Sequence, residues 1–250
     1  MQGGLGNQLF QYAAGLAIKE AIPDRRVVLT PLHENKHSSR DYRLCLYHRL
    51  PFIDSEPQAQ TVLSEAYVPW DPSTNFLTDV VLRGYFQYLP AIQSIVPMLR
   101  PDILDYLVAH KENIRLKYSL INLSHLGFIH IRRGDYLLYP KYHIVQPIDY
   151  YEKAFSHVPD VSRWLILSDD PKWCKTQSCF SHCEVIDEPD EMIGLALMSM
   201  CHGGAIIANS TYSWWGAMLG ASEATAPVVY PSRWSPTSIP NLFPTNWIAC

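Results

Sequence analysis

Four ionisable side chains, His130, Arg132, Arg133 and Asp135, fall within six consecutive positions of the segment HIRRGDY. They follow directly on the apolar run Leu126, Gly127, Phe128, Ile129. A guanidinium is a permanently charged planar fork that matches the geometry of a phosphate or a carboxylate. Two more polar clusters stand in the same relation to an apolar run. Ser168, Asp169 and Asp170 follow residues 164–167, and Asn209, Ser210, Thr211, Tyr212 and Ser213 follow residues 205–208. Carboxylates suit sugar hydroxyls or a base edge. A Ser/Thr/Asn segment that opens a helix offers backbone N–H groups and hydroxyls to an anion. Each cluster also has a plain structural use. Arg132 and Arg133 can form a salt-bridged turn with Asp135, Ser168-Asp169-Asp170 can cap a helix, and Asn209-Ser210-Thr211 caps one in any case. Trp214 and Trp215 read as core packing. The recurrence of such clusters at successive strand ends points to a pocket for a nucleotide diphosphate, because open α/β sheets bind ligands beyond the carboxyl ends of their strands.

The elements that must position these clusters read as alternating strands and helices. Short apolar runs at 128–131, 164–167, 183–186, 205–208 and 228–230 read as strands. Residues 191–201 have helical spacing, with Met192, Leu195, Ala196 and Ser199 on one side, and a second helix runs from about 212 to 220. This βαβ rhythm implies a parallel sheet covered by helices on both faces. Nearer the N-terminus, MQGGLGNQLFQYAAGLAIKE reads as a glycine loop and a helix. Leu9, Ala13, Leu16 and Ala17 form its stripe and Asn7 its cap. A strand over 26–30, a polar stretch over 33–49, a strand over 80–88 and a helix over 91–117 complete this half. The chain is expected to divide near residues 116–124, into lobes 1–118 and 119–250.

Composition excludes several classes. The 250 residues are 48% hydrophobic and 18% charged, as in a folded protein, with a net charge of −4 and a pI of about 6.2. That balance gives no general attraction to nucleic acid or anionic membrane, so a phosphorylated ligand needs a local site. The longest apolar run, around 192–201, is too short to cross a bilayer, which takes about 20 residues. No signal peptide is visible. A cytoplasmic protein is expected, peripheral at a membrane at most, or a Golgi-lumenal one if the chain is a fragment of an anchored protein. The spacing of Cys174, Cys179 and Cys183 is not that of a usual zinc pair, so thiols in a reducing compartment are expected. Asn122 and Asn209 open glycosylation triplets, which are common by chance.

In order from residue 3 to about residue 220, GGLGNQLFQYAAG, LRGYFQ, HIRRGDY, SDDPKWCK and IIANSTYSWWGAML resemble the α-1,2-fucosyltransferases of glycosyltransferase family eleven. The resemblance implies a GT-B-like α/β fold: two facing Rossmann-type lobes with parallel sheets and an inter-lobe cleft. It implies GDP-β-L-fucose as donor, an α-1,2 link to galactose or a similar sugar of a glycan acceptor, inversion at the anomeric carbon, and no metal or other cofactor. On this sequence it makes Arg132 the β-phosphate arginine, with Arg133 and Asp135 completing the catalytic motif and His130 beside them. Ser210 and Thr211 become phosphate contacts and Asp169 lies near the nucleoside. Gly4, Gly6, Asn7, Gln8, Ser168, Asn209 and Ser213 complete the donor-binding set. Family members usually carry a strand before GGLGNQ. Only Met1 and Gln2 precede it here, so the expectation is either a truncated chain or an N-terminal, acceptor-side lobe without its first, central strand. His202-Gly203-Gly204 also replaces a more basic segment, with little effect expected.

The chemistry agrees with that resemblance. Displacement at the anomeric carbon leaves GDP, and negative charge grows on the β-phosphate. Without a metal, fixed donors must stabilise it. The base that takes the acceptor proton stays open between His130, Asp135 and a phosphate oxygen. Rival readings are an inactive GDP-sugar or glycan-binding relative, a protein O-fucosyltransferase, and an NAD-dependent Rossmann protein. The last lacks G-x-G-x-x-G after a strand.

Overall fold

In the computed structural model the described residues are 1, 3–30, 47–53, 61–64, 71–74, 79–109, 125–221, 226–236, 239 and 241–250. Contacts group the chain into two units, Met1–Asp102 with Ile239–Pro244, and Ile103–Ser238 with Thr245–Cys250. The expected division at 116–124 lies outside the described residues, as does Asn122.

The first unit opens on helix α1 (Leu5–Ala21). Its stripe Leu9, Ala13, Leu16 and Ala17 is buried, as the spacing predicts. Asn7 does not cap it. Gly4 holds the cap position in an extended conformation without a side-chain cap, and the first i to i−4 bond runs from Gln8 N to Gly4 O. Asn7 therefore sits inside the first turn. Gly3, at φ +81°, needs its freedom, since a Cβ there would meet Asn7 Nδ2 at 2.8 Å. The strand expected over 26–30 reduces to one parallel bridge between Leu29 and Phe52. Strands β1 (Thr61–Ser64) and β2 (Val80–Arg83) pair in parallel. The expected 80–88 strand stops at Arg83, and Phe86 at φ +54° turns the chain out of extension. The helix expected over 91–117 is two helices among the described residues, α2 (Leu89–Ile92) and α3 (Val96–Ala109). Pro97 has no N–H to carry the first into the second.

The second unit is built on a six-stranded, wholly parallel sheet. Its strands are β3 (Gly127–Ile131), β4 (Trp164–Ser168), β5 (Cys183–Ile186), β6 (Gly204–Ile206), β7 (Val228–Tyr230) and β8 (Ile248–Ala249), in the order β5-β4-β3-β6-β7-β8. Five of the six match the apolar runs; β8 is a two-residue edge strand without such a signal. Every residue of β3 and β6 is buried, whereas β5, at one edge, is only partly so. Short helices α4 (Gly134–Leu138) and α6 (Pro171–Cys174) follow β3 and β4, and α5 (Ile148–Phe155) lies between them in sequence. Ile129, Ile131, Trp164, Ile166, Ile206 and Val229 form one core face with Tyr150, Tyr151 and Ala154 of α5. Alternate residues face the other way. There α7 (Glu191–Met200) and α8 (Thr211–Ala221) pack, with Gly194 beside Leu167 and Gly216 beside Met198. Residues Met192 to Ser199 of α7 are all buried, so this helix is enclosed rather than striped. Trp214 and Trp215 are fully buried core, as expected.

Candidate active site

Sheet order brings the polar clusters together. β3 has β4 on one side and β6 on the other, so residues 132–135 stand between 168–170 and 209–213. The chain leaves β3 for β4 in one direction and returns to β6 on the opposite side. The β3/β6 boundary is therefore a switch point, where the connections part and leave a crevice beyond the strand ends.

The register fixes the pairs. Ile131 lies opposite Ser168, so one step further Arg132 faces Asp169 and Arg133 faces Asp170. Arg132 Nη1 lies 3.1 Å from Asp169 Oδ2, and its Nη2 lies 2.9 Å from Asp135 Oδ1. Arg133 Nε lies 3.2 Å from Asp170 Oδ2, its guanidinium stacks on Trp173 at 3.8 Å, and its backbone N–H donates to Asp169 Oδ1 at 2.9 Å. Burial works against the charge of Arg132, but Asp169 and Asp135 outweigh it and raise the pKa on balance. Three carboxylates thus meet two guanidinium groups, so the cluster is not a basic patch. Any attraction for a diphosphate has to come from aimed donors.

Tyr136 joins this cluster to the β6–α8 turn. The Arg132 guanidinium lies 5.6 Å from its ring centre, and its hydroxyl donates to Asn209 O at 2.9 Å. Burial pushes that hydroxyl's pKa up to about 12, so it remains a donor. His143 stacks ring on ring with Tyr136 at 4.2 Å and 7°. Ser210 and Thr211 open α8, whose first amides point out along the helix axis. Ser213 is fully buried, with its hydroxyl on Ser210 O and Ala208 O. The side chain of Asn209 ties the turn to the protein: Nδ2 donates to Trp234 O at 3.0 Å and Oδ1 accepts from Gln146 Nε2 at 3.1 Å. Ser168 Oγ accepts from Asp170 N at 2.9 Å, and Asp170 caps α6 through Trp173 N.

His130 is enclosed on the α7/α8 face, edge-on to the Tyr212 ring at 5.4 Å. Its Nδ1 has no hydrogen-bond partner among the described residues. Burial, then the charge of Arg132, hold its pKa down at about 3, so the imidazole is neutral. The remaining expected residues belong to the first unit. Gly4 and Gly6 lie at the start of α1. Asn7 Oδ1 accepts from Gln87 Nε2 at 3.1 Å, and Gln8 joins Gly3 O and the Tyr47 hydroxyl. Among the described residues no three His, Cys, Asp or Glu side chains gather as a metal site. None of the described helices is long and apolar enough to cross a membrane.

Sequence reasoning passed over Tyr136, Trp173 and Gln146. The first two lie inside HIRRGDY and SDDPKWCK, where an aromatic next to arginines signals stacking. Gln146 carries no local signal.

A parallel α/β sheet with arginines, carboxylates and a hydroxyl-rich helix start at its switch point is a Rossmann-like arrangement, the class in which ligands bind beyond the strand ends. The chain belongs to glycosyl transferase family 11, whose profile matches residues 1–248. It is 31% identical to the O-antigen biosynthesis glycosyltransferase WbnK of Escherichia coli, over 94% of this chain and 93% of that protein. An alpha-1,2-colitosyltransferase of Escherichia coli is 27% identical over 99% of this chain and 96% of its own length. Galactoside alpha-(1,2)-fucosyltransferase 1 of Leontopithecus chrysomelas is 26% identical over 88% of this chain and 64% of its own length.

Proposed function

We propose that this glycosyltransferase moves L-fucose from GDP-β-L-fucose to the 2-hydroxyl of a galactoside or similar glycan, with inversion and without a metal. The reading includes the two-lobed GT-B architecture and a cytoplasmic location. One observation carries it: Arg132, gripped by two carboxylates yet a third exposed, follows the strand at the switch point and is linked through Tyr136 to the turn that opens α8. A guanidinium has five N–H donors, and the ion pairs engage only part of that fork. The rest suits the charge that develops on a leaving β-phosphate, joined by the opening amides of α8. Charge-assisted hydrogen bonds contribute about 1.5–3 kcal/mol each, so one arginine and two amides supply on the order of 10³-fold in rate. A metal at Asp169 and Asp170 would have to displace the arginines these carboxylates already hold. The enclosed, weakly basic His130 is poorly suited to take the acceptor proton, and the half-exposed Asp135 is assigned that role. A colitosyl donor is the second reading, favoured by the relative that matches 99% of the chain.

Product analysis with GDP-β-L-fucose and a panel of β-galactosides, with and without EDTA, tests the proposal. An α-1,2-fucosylated product is expected, at a rate EDTA leaves nearly unchanged. Arg132→Lys should fold normally and lose at least about 100-fold in turnover, or about 2.7 kcal/mol. GDP binding without transfer to any acceptor would make the chain an inactive relative, and transfer only to a peptide would make it a protein O-fucosyltransferase. Strong EDTA inhibition would turn Asp169 and Asp170 into a metal site.

A further inference from the structure

We propose that Asp169 is a positioning residue: its carboxylate sets the direction of the Arg132 fork toward the leaving phosphate and does not contact the nucleoside. This deepens the proposed function and rests on it. Both oxygens of Asp169 accept from protein donors. Oδ2 takes Arg132 Nη1 at 3.1 Å, and Oδ1 takes the backbone N–H of Arg133 at 2.9 Å. The second bond pins the carboxylate to the main chain next to the arginine it directs. Sheet register places it there, since Asp169 is the residue across from Arg132 once the Ile131–Ser168 pairing is extended by one. Asp135 holds the other terminal nitrogen of the fork but is 48% exposed, against 23% for Asp169. The less exposed, doubly held partner is the one that can fix a direction; the more exposed partner is free to exchange with ligand.

Gly134 gives an independent sign of the same role. A Cβ at that position would stand 2.8 Å from Asp169 Oδ2 and 3.3 Å from its Cγ. Residue 134 is bare where the carboxylate passes, and a Cβ there would require the Asp169 carboxylate to shift from the position in which it holds the arginine.

The test compares GMP with GDP. The two share the nucleoside and the α-phosphate, and only GDP has the β-phosphate assigned to Arg132. Asp169→Asn and Gly134→Ala are each measured by calorimetry with both nucleotides, and by steady-state kinetics with GDP-fucose, alone and combined with Arg132→Lys. Thermal melts establish that each variant is folded. The expected result is GMP affinity within about 2-fold of wild type and GDP affinity weakened by about 10-fold or more, a charge-assisted contact being lost. Turnover in Asp169→Asn/Arg132→Lys should be within about 3-fold of Arg132→Lys alone, because both changes remove one interaction. Gly134→Ala, which keeps the carboxylate, should reproduce the GDP-selective loss, and it decides the matter if Asp169→Asn does not fold. Equal losses for GMP and GDP would make Asp169 a nucleoside contact and overturn the inference, as would turnover losses that multiply. A wild-type chain that binds neither nucleotide would instead overturn the donor assignment, and this inference with it.

Discussion

At the scale of single residues, the two adjacent arginines have different tasks. Arg133 is stacked closely on Trp173 and held by one carboxylate, Asp170, whereas Arg132 is held by two carboxylates and lies farther from its aromatic neighbour, Tyr136. Neighbouring residues at a strand end point to opposite sides, so one arginine can brace the turn while the other faces the crevice. His130, two residues earlier, is the histidine of the motif and yet an interior group. An ordinary histidine in the unfolded chain takes up a proton near pH 6.5, while burial and the Arg132 charge delay this to about 3 in the fold. Between those values the unfolded chain binds more protons. Stability from this group is therefore complete above about pH 6.5 and is lost as pH falls through the window, by up to about 1.4 kcal/mol per unit. Urea unfolding of wild type and His130→Gln at pH 7.5, 5.5 and 4.5 should show the wild type losing its relative stability as pH drops. A difference that stays constant with pH would mean that His130 charges in the fold without penalty.

At the scale of elements, the β6–α8 turn shows what a local reading can reach. Asn209-Ser210-Thr211 after an apolar run signals a helix start, and α8 does begin at Thr211. The same letters do not reveal that the Asn209 amide bonds to Gln146 and Trp234, 63 and 25 residues away. Those contacts arise only when the sheet has formed. Asn209 is 7% exposed, so its amide braces the turn and is poorly placed to carry a glycan. Asn209→Ala would leave the buried Gln146 donor and the Trp234 carbonyl without this partner, at a cost of about 1–3 kcal/mol. Urea denaturation should show that loss with an unchanged m-value. A loss below about 0.5 kcal/mol would free the side chain for the donor contact that the resemblance implies.

At the scale of the molecule, the second unit was largely legible and the first was not. Five of its six strands coincide with apolar runs, four of them largely buried, and a parallel sheet makes such runs nearly continuous in hydrophobicity. The same sheet gathers Arg132, Asp169 and the 209–213 turn, which the sequence could only list in order. The order β5-β4-β3-β6-β7-β8 needed the fold, because long-range pairing leaves no mark on a strand's own residues. Among the described residues of the first unit the extended segments are brief, one ending before Phe86 at φ +54° and another reduced to an isolated bridge, so period and propensity had little to act on. The resemblance nevertheless assigns donor contacts to Gly4, Gly6, Asn7 and Gln8 as well as to the second unit. Hydrogen exchange with saturating GDP separates the two sets. Amides of residues 132–136 and 209–213 should slow, since a bound ligand adds RT ln(1 + [L]/Kd) to the cost of opening, about 2.7 kcal/mol at 100 times Kd. Slowing there and also at residues 4–8 would extend the donor contacts to the start of α1. Slowing confined to the second unit would remove Gly4, Gly6, Asn7 and Gln8 from the set, and no slowing at 132–136 would move the nucleotide away from Arg132 altogether.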